Sequence, residues 1–433
     1  MHIIKNVEVI KGKKEREFVI QLLERGLEFS KPENAIKRAV SLKDDYLYVN
    51  DEIFNIKNKN IFVIGFGKAA DGMAKVLQGI LKNRIKKGII ISPYVSSVKG
   101  FEVFKSSHPY PNKNSVIGTK RIISLLKTLG KDDIIIYLVS GGGSASLVMP
   151  KEGIRLKDKI KITKMLIESG ADIFEINMVR KLLSDVKGGK LLRYSPESEI
   201  INIIISDVVG DRIDVISSGP TVTDNTDLIE SFGVLKKYNI LEDFPQIRKY
   251  LKETKIDTKS IRLRNHVILR NIDVLKEIKK IANIPSLILS SRMEGKPEEV
   301  GRFLSGICKD VFYNGVPLNK PCLILSGGET TVNIEGKKGK GGTNQELCLH
   351  FLLNISKDIK FVFSSIDTDG KDGSSEFAGG IVDEESLNIL KVEDIKKGIL
   401  NHDAQSLLAS SNDLILTGFT GTNVNDIQIL YVR

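Results

Sequence analysis

The sequence predicts an α/β fold in two domains: an amino-terminal, doubly wound, Rossmann-like parallel sheet and a smaller carboxyl-terminal α/β domain with a mixed sheet. Three observations support this class. The chain has 433 residues, which is more than one hydrophobic core usually supports. Strand-like and helix-like patterns alternate between residues 61 and 220, as in βαβ units. Most of the β-branched runs end at glycine, serine or an acidic residue.

The first predicted elements are two helices, at residues 15–29 and 34–42. Val19, Leu23 and Leu27 recur at helical spacing in the first of them. We expect both helices to pack as a cap against the first sheet. An alternating segment at residues 46–56 follows them and precedes the first glycine-terminated strand.

The two domains are predicted to meet near residue 255, which gives domains of residues 1–255 and 256–433. Residues 255–260 form the most linker-like passage, because they follow a charged helical region and contain few apolar side chains. The strands predicted on either side of this passage are at residues 61–65, 88–92, 133–139 and 201–205, and then at residues 266–269, 286–289, 322–325, 361–366, 414–416 and 427–432.

Composition indicates an ordinary globular protein, with 41% hydrophobic and 27% charged residues. The net charge is +11, but lysines alternate with acids and no basic tract is interleaved with aromatic residues, so we expect no nucleic-acid partner. The amino terminus lacks the apolar stretch of a signal peptide or membrane span, so we expect a cytoplasmic protein. The three cysteines have no metal-ligand spacing and are predicted to be buried thiols.

A glycine-rich loop follows the strand at residues 133–139. Its residues are Ser140, Gly141, Gly142, Gly143 and Ser144. Glycines let the backbone approach a ligand closely, and a helix that starts there directs free N–H groups and a positive dipole at an anion. The loop is therefore predicted to bind phosphate or carboxylate, with a tight strand-to-helix turn as the alternative.

Similar loops follow other predicted strands, at residues 65–70, 206–211, 326–331 and 367–373. The carboxyl ends of parallel strands meet at one edge of a sheet, where open α/β sheets bind their ligands. We therefore expect the small polar residues of these loops to contribute to one shared site.

The loop at residues 65–70 matches the dinucleotide pattern G-x-G-x-x-A. The pattern also requires an acidic residue at the end of the next strand, and residues 88–93 contain none. The loop supplies Lys68 instead, a cation suited to neutralising a phosphoryl group during transfer. The alternative is that Lys68 is a solvent-facing residue at a helix start.

Asp207 and Asp211 follow the strand at residues 201–205. Such carboxylates can bind Mg²⁺ or accept a proton from a substrate hydroxyl, although Asp207 can also cap a turn. Asp367, Asp369 and Asp372 resemble a calcium loop, but the twelfth position from Asp367 is not glutamate. A turn near a nucleotide or its metal is the preferred interpretation of that cluster.

Several motifs in fixed order cover nearly the whole chain. They are Gly65–Ala69, His108–Pro111, Ser140–Ala145, Asn177–Lys181, Lys187–Gly189, Ser206–Val208, Ser218–Thr221, Ser326–Thr331, Gly341–Glu346, Thr368–Gly370 and Thr420–Asp426. Together they resemble the class II glycerate kinases. The resemblance implies phosphorylation of D-glycerate by ATP to 2-phosphoglycerate in a cleft between two domains, with Mg²⁺ or another divalent cation. Only the resemblance favours carbon 2 over carbon 3.

The resemblance also implies roles for individual residues. Catalytic roles fall to Lys68, Asp207 and Arg180, and Asp207 and Asp211 would bind the metal. Substrate would be bound by Ser140, Gly141, Gly142, Gly143, Ser144 and His108. Nucleotide would be bound by Lys187, Gly188, Gly189, Gly328, Glu329, Thr330, Asn344, Glu346, Asp369, Gly370, Asn423, Asn425 and Asp426.

The chain departs from the family pattern at Thr343, where many members have arginine. That arginine resembles a cation that stabilises the transition state, so Lys68, Lys187 or Lys340 would have to supply the charge. His108 could act as a base, although a histidine before proline is more often an ordered turn residue.

Two other functions stay open at this point: a nicotinamide-dependent hydroxypyruvate reductase and a non-catalytic anion-binding protein. The expected partners are small molecules, D-glycerate and ATP, with no membrane partner. The sequence allows a homodimer but does not determine the oligomeric state.

Overall fold

The computed structural model describes residues 2–94, 97–195, 197–222, 228–250, 261–332 and 339–433. Among these residues, no helix has both the length and the apolar character needed to cross a membrane. Cys308, Cys322 and Cys348 are buried thiols, as predicted. The α/β fold class is confirmed, because helices flank one parallel and one mixed sheet.

The strands are numbered in chain order. They are β1 Val40–Lys43, β2 Tyr46–Val49, β3 Glu52–Asn55, β4 Asn60–Phe66, β5 Ile85–Ser92, β6 Phe101–Lys105, β7 Asp133–Val139, β8 Glu199–Ile205, β9 Arg262–Leu269, β10 Ser286–Met293, β11 Cys322–Gly328, β12 Phe361–Asp367, β13 Gly379–Asp383, β14 Leu414–Ile415 and β15 Asp426–Val432.

The helices are numbered in the same way. They are α1 Val7–Ile10, α2 Lys14–Ser30, α3 Pro32–Ala39, α4 Ala70–Leu81, α5 Lys113–Leu126, α6 Gly143–Ser146, α7 Leu156–Glu168, α8 Ile173–Leu182, α9 Leu228–Lys237, α10 Ile240–Asp243, α11 Asn271–Ala282, α12 Pro297–Asn314, α13 Thr343–Leu353, α14 Ser386–Ile389, α15 Val392–Leu400 and α16 Ala404–Ser410. Short 3₁₀ turns lie at Lys82–Arg84, Lys190–Tyr194, Ile216–Ser218 and Pro245–Tyr250.

The chain divides by packing into two compact units. We name residues Ala35–Ile268 the central unit, and Met1–Asn34 together with Leu269–Arg433 the terminal unit. The central unit contains a sheet in the order β6-β5-β4-β7-β8-β9, in which β6, β5, β4, β7 and β8 pair in parallel. This is the Rossmann strand order, with the reversal between β4 and β7.

Isoleucine and valine runs account for this sheet, because strands buried on both faces need apolar side chains at successive positions. In β4 and β7 every residue after the first is buried. Their register pairs Gly65 with Leu138 and Phe66 with Val139. The loops that follow the two strands therefore start side by side.

The terminal unit contains a mixed sheet in the order β10-β11-β15-β12-β13-β14. β10 and β11 are parallel, and the other pairs are antiparallel. Its core is aromatic in part, since the rings of Phe351 and Phe363 stack with centroids 4.4 Å apart. The mixed sheet of the carboxyl-terminal part was predicted correctly.

Two elements lie in a different unit from the one that we expected. Helix α2 packs against α11 and β12 of the terminal unit, although the sequence predicted a cap on the first sheet. Strand β9 borders β8 in the central sheet, although it was predicted to begin the second series. The predicted boundary at residue 255 lies outside the described residues and stays a prediction.

Arg16 holds α2 within the terminal unit. Its guanidinium donates to the carbonyl oxygen of Ile381 and to the carboxylate of Asp413, and its Nε lies 3.6 Å from the carboxylate of Asp383. All three charged groups are buried. Removing one member of a buried ion network leaves the others without compensation.

We expect Arg16→Met to lower the apparent free energy of unfolding of the terminal unit by about 3 kcal/mol. Urea unfolding followed by circular dichroism measures this, since the chain has no tryptophan. Lys14→Met is the matched control, because Lys14 is an exposed residue of the same helix. Equal urea midpoints for the two variants would contradict the role of Arg16.

Candidate active site

The reversal of strand order in the central sheet brings two loops together. The amide of Lys68 donates to the carbonyl oxygen of Gly141 at 2.7 Å, and the amide of Ala69 donates to Ser140 Oγ at 3.1 Å. The loop after β4 and the glycine-rich loop after β7 are thus joined by hydrogen bonds. Ligands of this fold bind at such a switch point.

Gly67 allows the two loops to approach each other. Its φ is +114°, and an added Cβ would lie 2.8 Å from the carbonyl oxygen of Gly141 and still closer to Ser140. No other residue type combines this backbone conformation with so little space. The first glycine loop is therefore shaped to contact the second.

Lys68 is enclosed by the protein. It is 8% exposed, so the alternative of a solvent-facing lysine is wrong. An added Cβ at Gly142 would lie 3.1 Å from Lys68 Cγ and 3.1 Å from the ring of His108, so the three residues adjoin. Two predicted site residues from different loops, Lys68 and His108, therefore flank the glycine-rich loop.

Asp207 follows β8 and reaches the same loop. An added Cβ at Gly141 would lie 2.9 Å from Asp207 Cβ and closer still to its carboxylate. Burial raises the pKa of Asp207, against the opposing effects of the Lys68 charge and of the Gly142 amide, which donates to the carboxylate. The structure thus brings together Lys68, Asp207 and the glycine-rich loop.

Several amides of the glycine-rich loop form hydrogen bonds within the protein, and the predicted binding of an anion by this loop stays a prediction. The amide of Ser140 donates to Phe66, that of Gly143 to Ser140 and that of Ala145 to Gly142. Helix α6 is a single turn of four residues. Most of these amides are engaged within the protein, so the loop mainly holds Lys68 and Asp207 in place.

Serine side chains support the loop from a neighbouring turn. Ser217 Oγ donates to the carbonyl oxygen of Ser140 at 2.9 Å, and the hydroxyls of Ser144 and Ser218 lie 2.7 Å apart. Ser218 Oγ also donates to Asn177 Oδ1 at 3.1 Å. The predicted motif at residues 218–221 is therefore placed against the site.

Asp207 and Asp211 were predicted to bind Mg²⁺, and this role stays a prediction. Asp211 closes a turn on Val208 with φ +60°, and the ammonium of Lys68 lowers the pKa of Asp207 against the effect of burial. Over the described ranges, no group of three or more His, Cys, Asp or Glu side chains is arranged to hold a metal ion. Enzymes that bind Mg²⁺ through one or two carboxylates complete its coordination with substrate phosphates and water, so this pair alone is not a complete site.

Arg180 and Lys187 lie together in the central unit. Both line one pocket, with Tyr110 and Ser144. Lys187 is fully buried and donates to the carbonyl oxygen of Ser217 at 3.2 Å. The amides of Gly188 and Gly189 donate to Ser218 and Gly219.

Sequence reasoning missed Lys159, which lines the same pocket from α7. In the sequence it is one of many lysines on an amphipathic helix, and nothing in its spacing distinguishes it from its neighbours. Only the packing of α7 against α8 shows that this lysine points inward.

The remaining predicted nucleotide residues lie in the terminal unit, where acidic side chains gather at the ends of β11, β12 and β15. Asn344 Nδ2 donates to Asp426 Oδ1 at 2.9 Å, and Asn425 Nδ2 donates to Glu329 Oε2 at 3.3 Å. Burial, and then the neighbouring charge of Asp367, raises the pKa of Asp426 well above its ordinary value. Within the described part of the chain, Asp426 Oδ2 has no hydrogen-bond partner.

Other members of that set serve local structure. Glu346 Oε1 lies 2.8 Å from His402 Nδ1, and Asp369 Oδ1 accepts from the amide of Lys371 at 2.9 Å. Asn423 Oδ1 accepts from the amide of Asn425 at 2.9 Å. Gly328 ends β11, and Thr330 and Gly370 follow the ends of β11 and β12. The position that departs from the family, Thr343, begins α13, with Lys340 exposed before it.

The predicted nucleotide residues are thus divided between the two units. Lys187, Gly188 and Gly189 belong to the central unit, and the others belong to the terminal unit. Their role in nucleotide binding stays a prediction.

A Rossmann-order sheet with a buried lysine and a half-buried carboxylate near its switch point defines an α/β enzyme. Two family descriptions match the chain: a domain of unknown function, DUF4147, over residues 18–252, and the MOFRL family over residues 322–426.

Characterised relatives share nearly the full length. A glycerate 2-kinase from Pyrococcus horikoshii is 37% identical, over 96% of this chain and 97% of the relative. A D-glycerate 2-kinase from Thermotoga maritima is 34% identical, over 96% and 97%. The crystal structure of a Thermotoga maritima glycerate kinase superposes with a TM-score of 0.85 at 33% identity, over 96% of this chain and 99% of that chain. The chain belongs to this family of kinases, the class II glycerate kinases with a MOFRL domain.

Proposed function

We propose that the chain is a glycerate 2-kinase, which transfers the terminal phosphoryl group of ATP to the C2 hydroxyl of D-glycerate and releases 2-phosphoglycerate and ADP. The observation that carries the proposal is the enclosed Lys68 beside Asp207 at the switch point of the central sheet. Phosphoryl transfer needs positioning and charge neutralisation more than a covalent intermediate, and this site supplies both.

Lys68 neutralises the charge of the phosphoryl group in transit. Its main chain is fixed by the bond to Gly141, and its side chain is packed against Gly142, so the ammonium is held before substrate arrives. A preorganised cation in a site that excludes water stabilises a transition state more strongly than a mobile one.

Asp207 orients the acceptor hydroxyl and accepts its proton. Burial raises the pKa of this carboxyl group above the ordinary value, which makes it a stronger base than an exposed aspartate. Lys68 beside it keeps the ionised form accessible. The proton passes to Asp207 as the oxygen bonds to phosphorus.

ATP as the donor and a divalent cation belong to the proposal through the family. No step is assigned to a metal at Asp207 and Asp211, because these two carboxylates alone do not complete the coordination of a divalent cation. In kinases Mg²⁺ is held to a large extent by the phosphate oxygens of the nucleotide. Buried polar atoms without partners in the described part of the terminal unit, among them Thr330 Oγ1 and Asp426 Oδ2, support a polar ligand there.

We expect Asp207→Asn to lower kcat by about 10²–10³-fold, because the amide cannot accept the hydroxyl proton. Steady-state kinetics across pH measure this, and the loss of rate on the acidic side should disappear in the variant. Asp132→Asn is the control, since Asp132 has a 71% exposed side chain next to the amino end of β7. Unchanged kcat in Asp207→Asn would reassign Asp207 to a structural role.

A coupled assay tests the proposed function. ADP release that depends on D-glycerate supports the kinase, and identification of the product by NMR tests phosphorylation at carbon 2. Oxidation of NADH with hydroxypyruvate would favour the reductase instead. Thermal stabilisation by phosphate ligands without turnover would favour an anion-binding protein.

A further inference from the structure

A pocket of about 360 Å³, including its open mouth, lies next to the glycine-rich loop in the central unit. Three cationic side chains line it: Lys159 from α7, Arg180 from α8 and Lys187 from the turn that follows α8. Tyr110, Ser144 and Thr163 complete its polar lining, and the described residues that line it include no carboxylate. The lining of the pocket therefore combines three basic side chains with no acidic one.

Among the described residues, the ammonium groups of the two lysines donate to main-chain carbonyl groups. Lys159 Nζ donates to Arg180 O at 3.2 Å and to Leu183 O at 3.3 Å, and Lys187 Nζ donates to Ser217 O at 3.2 Å. Over the described part of the chain, the Arg180 guanidinium forms no hydrogen bond or ion pair. Its donors are therefore available to a ligand in the pocket, in the forked geometry that matches a carboxylate.

Several charged groups face Lys159. Burial, and then the nearby charges of Lys190 and Arg180, lower its pKa to about 7, whereas Asp185 opposes the shift. Asp185 also pairs with Arg193 at 3.2 Å. Burial, and then Lys159 and Arg180, lower the pKa of Lys187 well below its ordinary value. Burial of three cationic side chains in one place lowers the stability of the protein unless an anion binds beside them.

We propose that Lys159, Arg180 and Lys187 form an oxyanion site for the carboxylate of the acceptor substrate. The assignment rests on the proposed function. Ser144 lines this pocket and Gly142 adjoins Lys68, and the two residues are no more than about 7 Å apart along the chain. A short hydroxy acid held by its carboxylate in the pocket would direct its hydroxyl toward Lys68 and Asp207.

The site predicts proton uptake on binding. An anion beside Lys159 favours the charged lysine, so the complex binds a proton that the free protein lacks above a pH of about 7. Affinity for the anion should therefore fall as pH rises from about 6 to about 8.5. Titration calorimetry of D-glycerate in two buffers of different ionisation enthalpy measures the protons taken up.

Sulfate is a probe of anion binding in the pocket that does not depend on the kinase reaction. Its own charge does not change, because sulfate stays a dianion over this pH range. The wild-type protein should gain thermal stability with sulfate, and the gain should shrink as pH rises. Arg180→Gln and Lys159→Met should abolish the gain. Lys159→Arg should keep the gain but lose its pH dependence, and Lys157→Met, an exposed position on the same helix, should behave as wild type.

Kinetics identify the anion. In Arg180→Gln and Lys159→Met the KM for D-glycerate should rise about 10-fold or more, with a smaller change in kcat and an unchanged KM for ATP. If the sulfate effect survives both substitutions, the pocket is not an oxyanion site. If sulfate binding is lost but only the KM for ATP rises, a nucleotide phosphate occupies the pocket and the carboxylate assignment is overturned. Absence of kinase activity in the wild type would refute the proposed function, while the sulfate result would still decide on the pocket.

Discussion

Replacing Lys68 with alanine should lower kcat by about 10³-fold while the protein stays folded. The structure places the Lys68 side chain beside both Asp207 and the glycine-rich loop, and loss of a preorganised charge at a transferring phosphoryl group typically has an effect of this size. The measurement is kcat with D-glycerate and ATP, together with the circular dichroism spectrum and the melting temperature of the variant.

Lys75→Ala is the matched control, because Lys75 is an exposed residue of α4, which begins two residues after Lys68. It should keep the kcat of the wild type. Lys68→Arg should recover part of the rate, since the charge returns in a bulkier group. Wild-type kcat in a folded Lys68→Ala protein would remove Lys68 from the mechanism and the proposed site with it.

Gly67→Ala should impair stability and activity together. The added Cβ would press on Ser140 and on the carbonyl oxygen of Gly141, in a backbone conformation at φ +114° that alanine rarely adopts. We expect a loss of about 2–4 kcal/mol in the free energy of unfolding of the central unit. Activity should fall by about 10²-fold or more, since Lys68 moves with the loop.

Gly79→Ala is the control that separates the steric effect expected at Gly67 from the general effect of replacing a glycine with alanine. Gly79 lies in α4 with no atom within 4 Å of an added Cβ, so the substitution should stabilise the helix by about 0.5–1 kcal/mol. Urea unfolding and kcat are measured for both variants. A Gly67→Ala protein as stable and active as Gly79→Ala would show that the two loops do not need their close contact.

The centre of the site could be predicted from the sequence because strand ends mark it. Strands β4 and β7 are apolar runs in the sequence; Gly67 follows β4 directly, and Ser140 and Gly141 follow β7. Their parallel pairing follows from the Rossmann order. Lys68 and Asp207 were found in this way. The absence of an acidic residue at the end of β5 likewise argues, from the sequence alone, against the binding of a nicotinamide cofactor by the loop after β4.

The partners of Arg16, the burial of Lys159 and the hydrogen bonds of the glycine-rich loop depend on tertiary packing, which no local sequence pattern specifies. Helical spacing shows which face of α2 is buried, but not that Arg16 pairs with acids of the terminal unit. Lys159 looks like a surface lysine until α8 covers it. The sequence does not show that amides of the glycine-rich loop donate to Phe66, to Asp207 and to the loop's own Ser140.

The order in which the two units can be completed follows from the position of β15. This strand, near the end of the chain, lies in the middle of its sheet between β11 and β12, and the same unit includes the first 34 residues. The central unit is one continuous segment and can assemble during synthesis. Helix α2 is separated in the sequence from the strands of its own sheet by more than 200 residues, so it cannot pack against that sheet until those residues have been synthesised. Helix α2 and strand β15, which are far apart in the sequence, therefore reach their native partners at the same stage of folding.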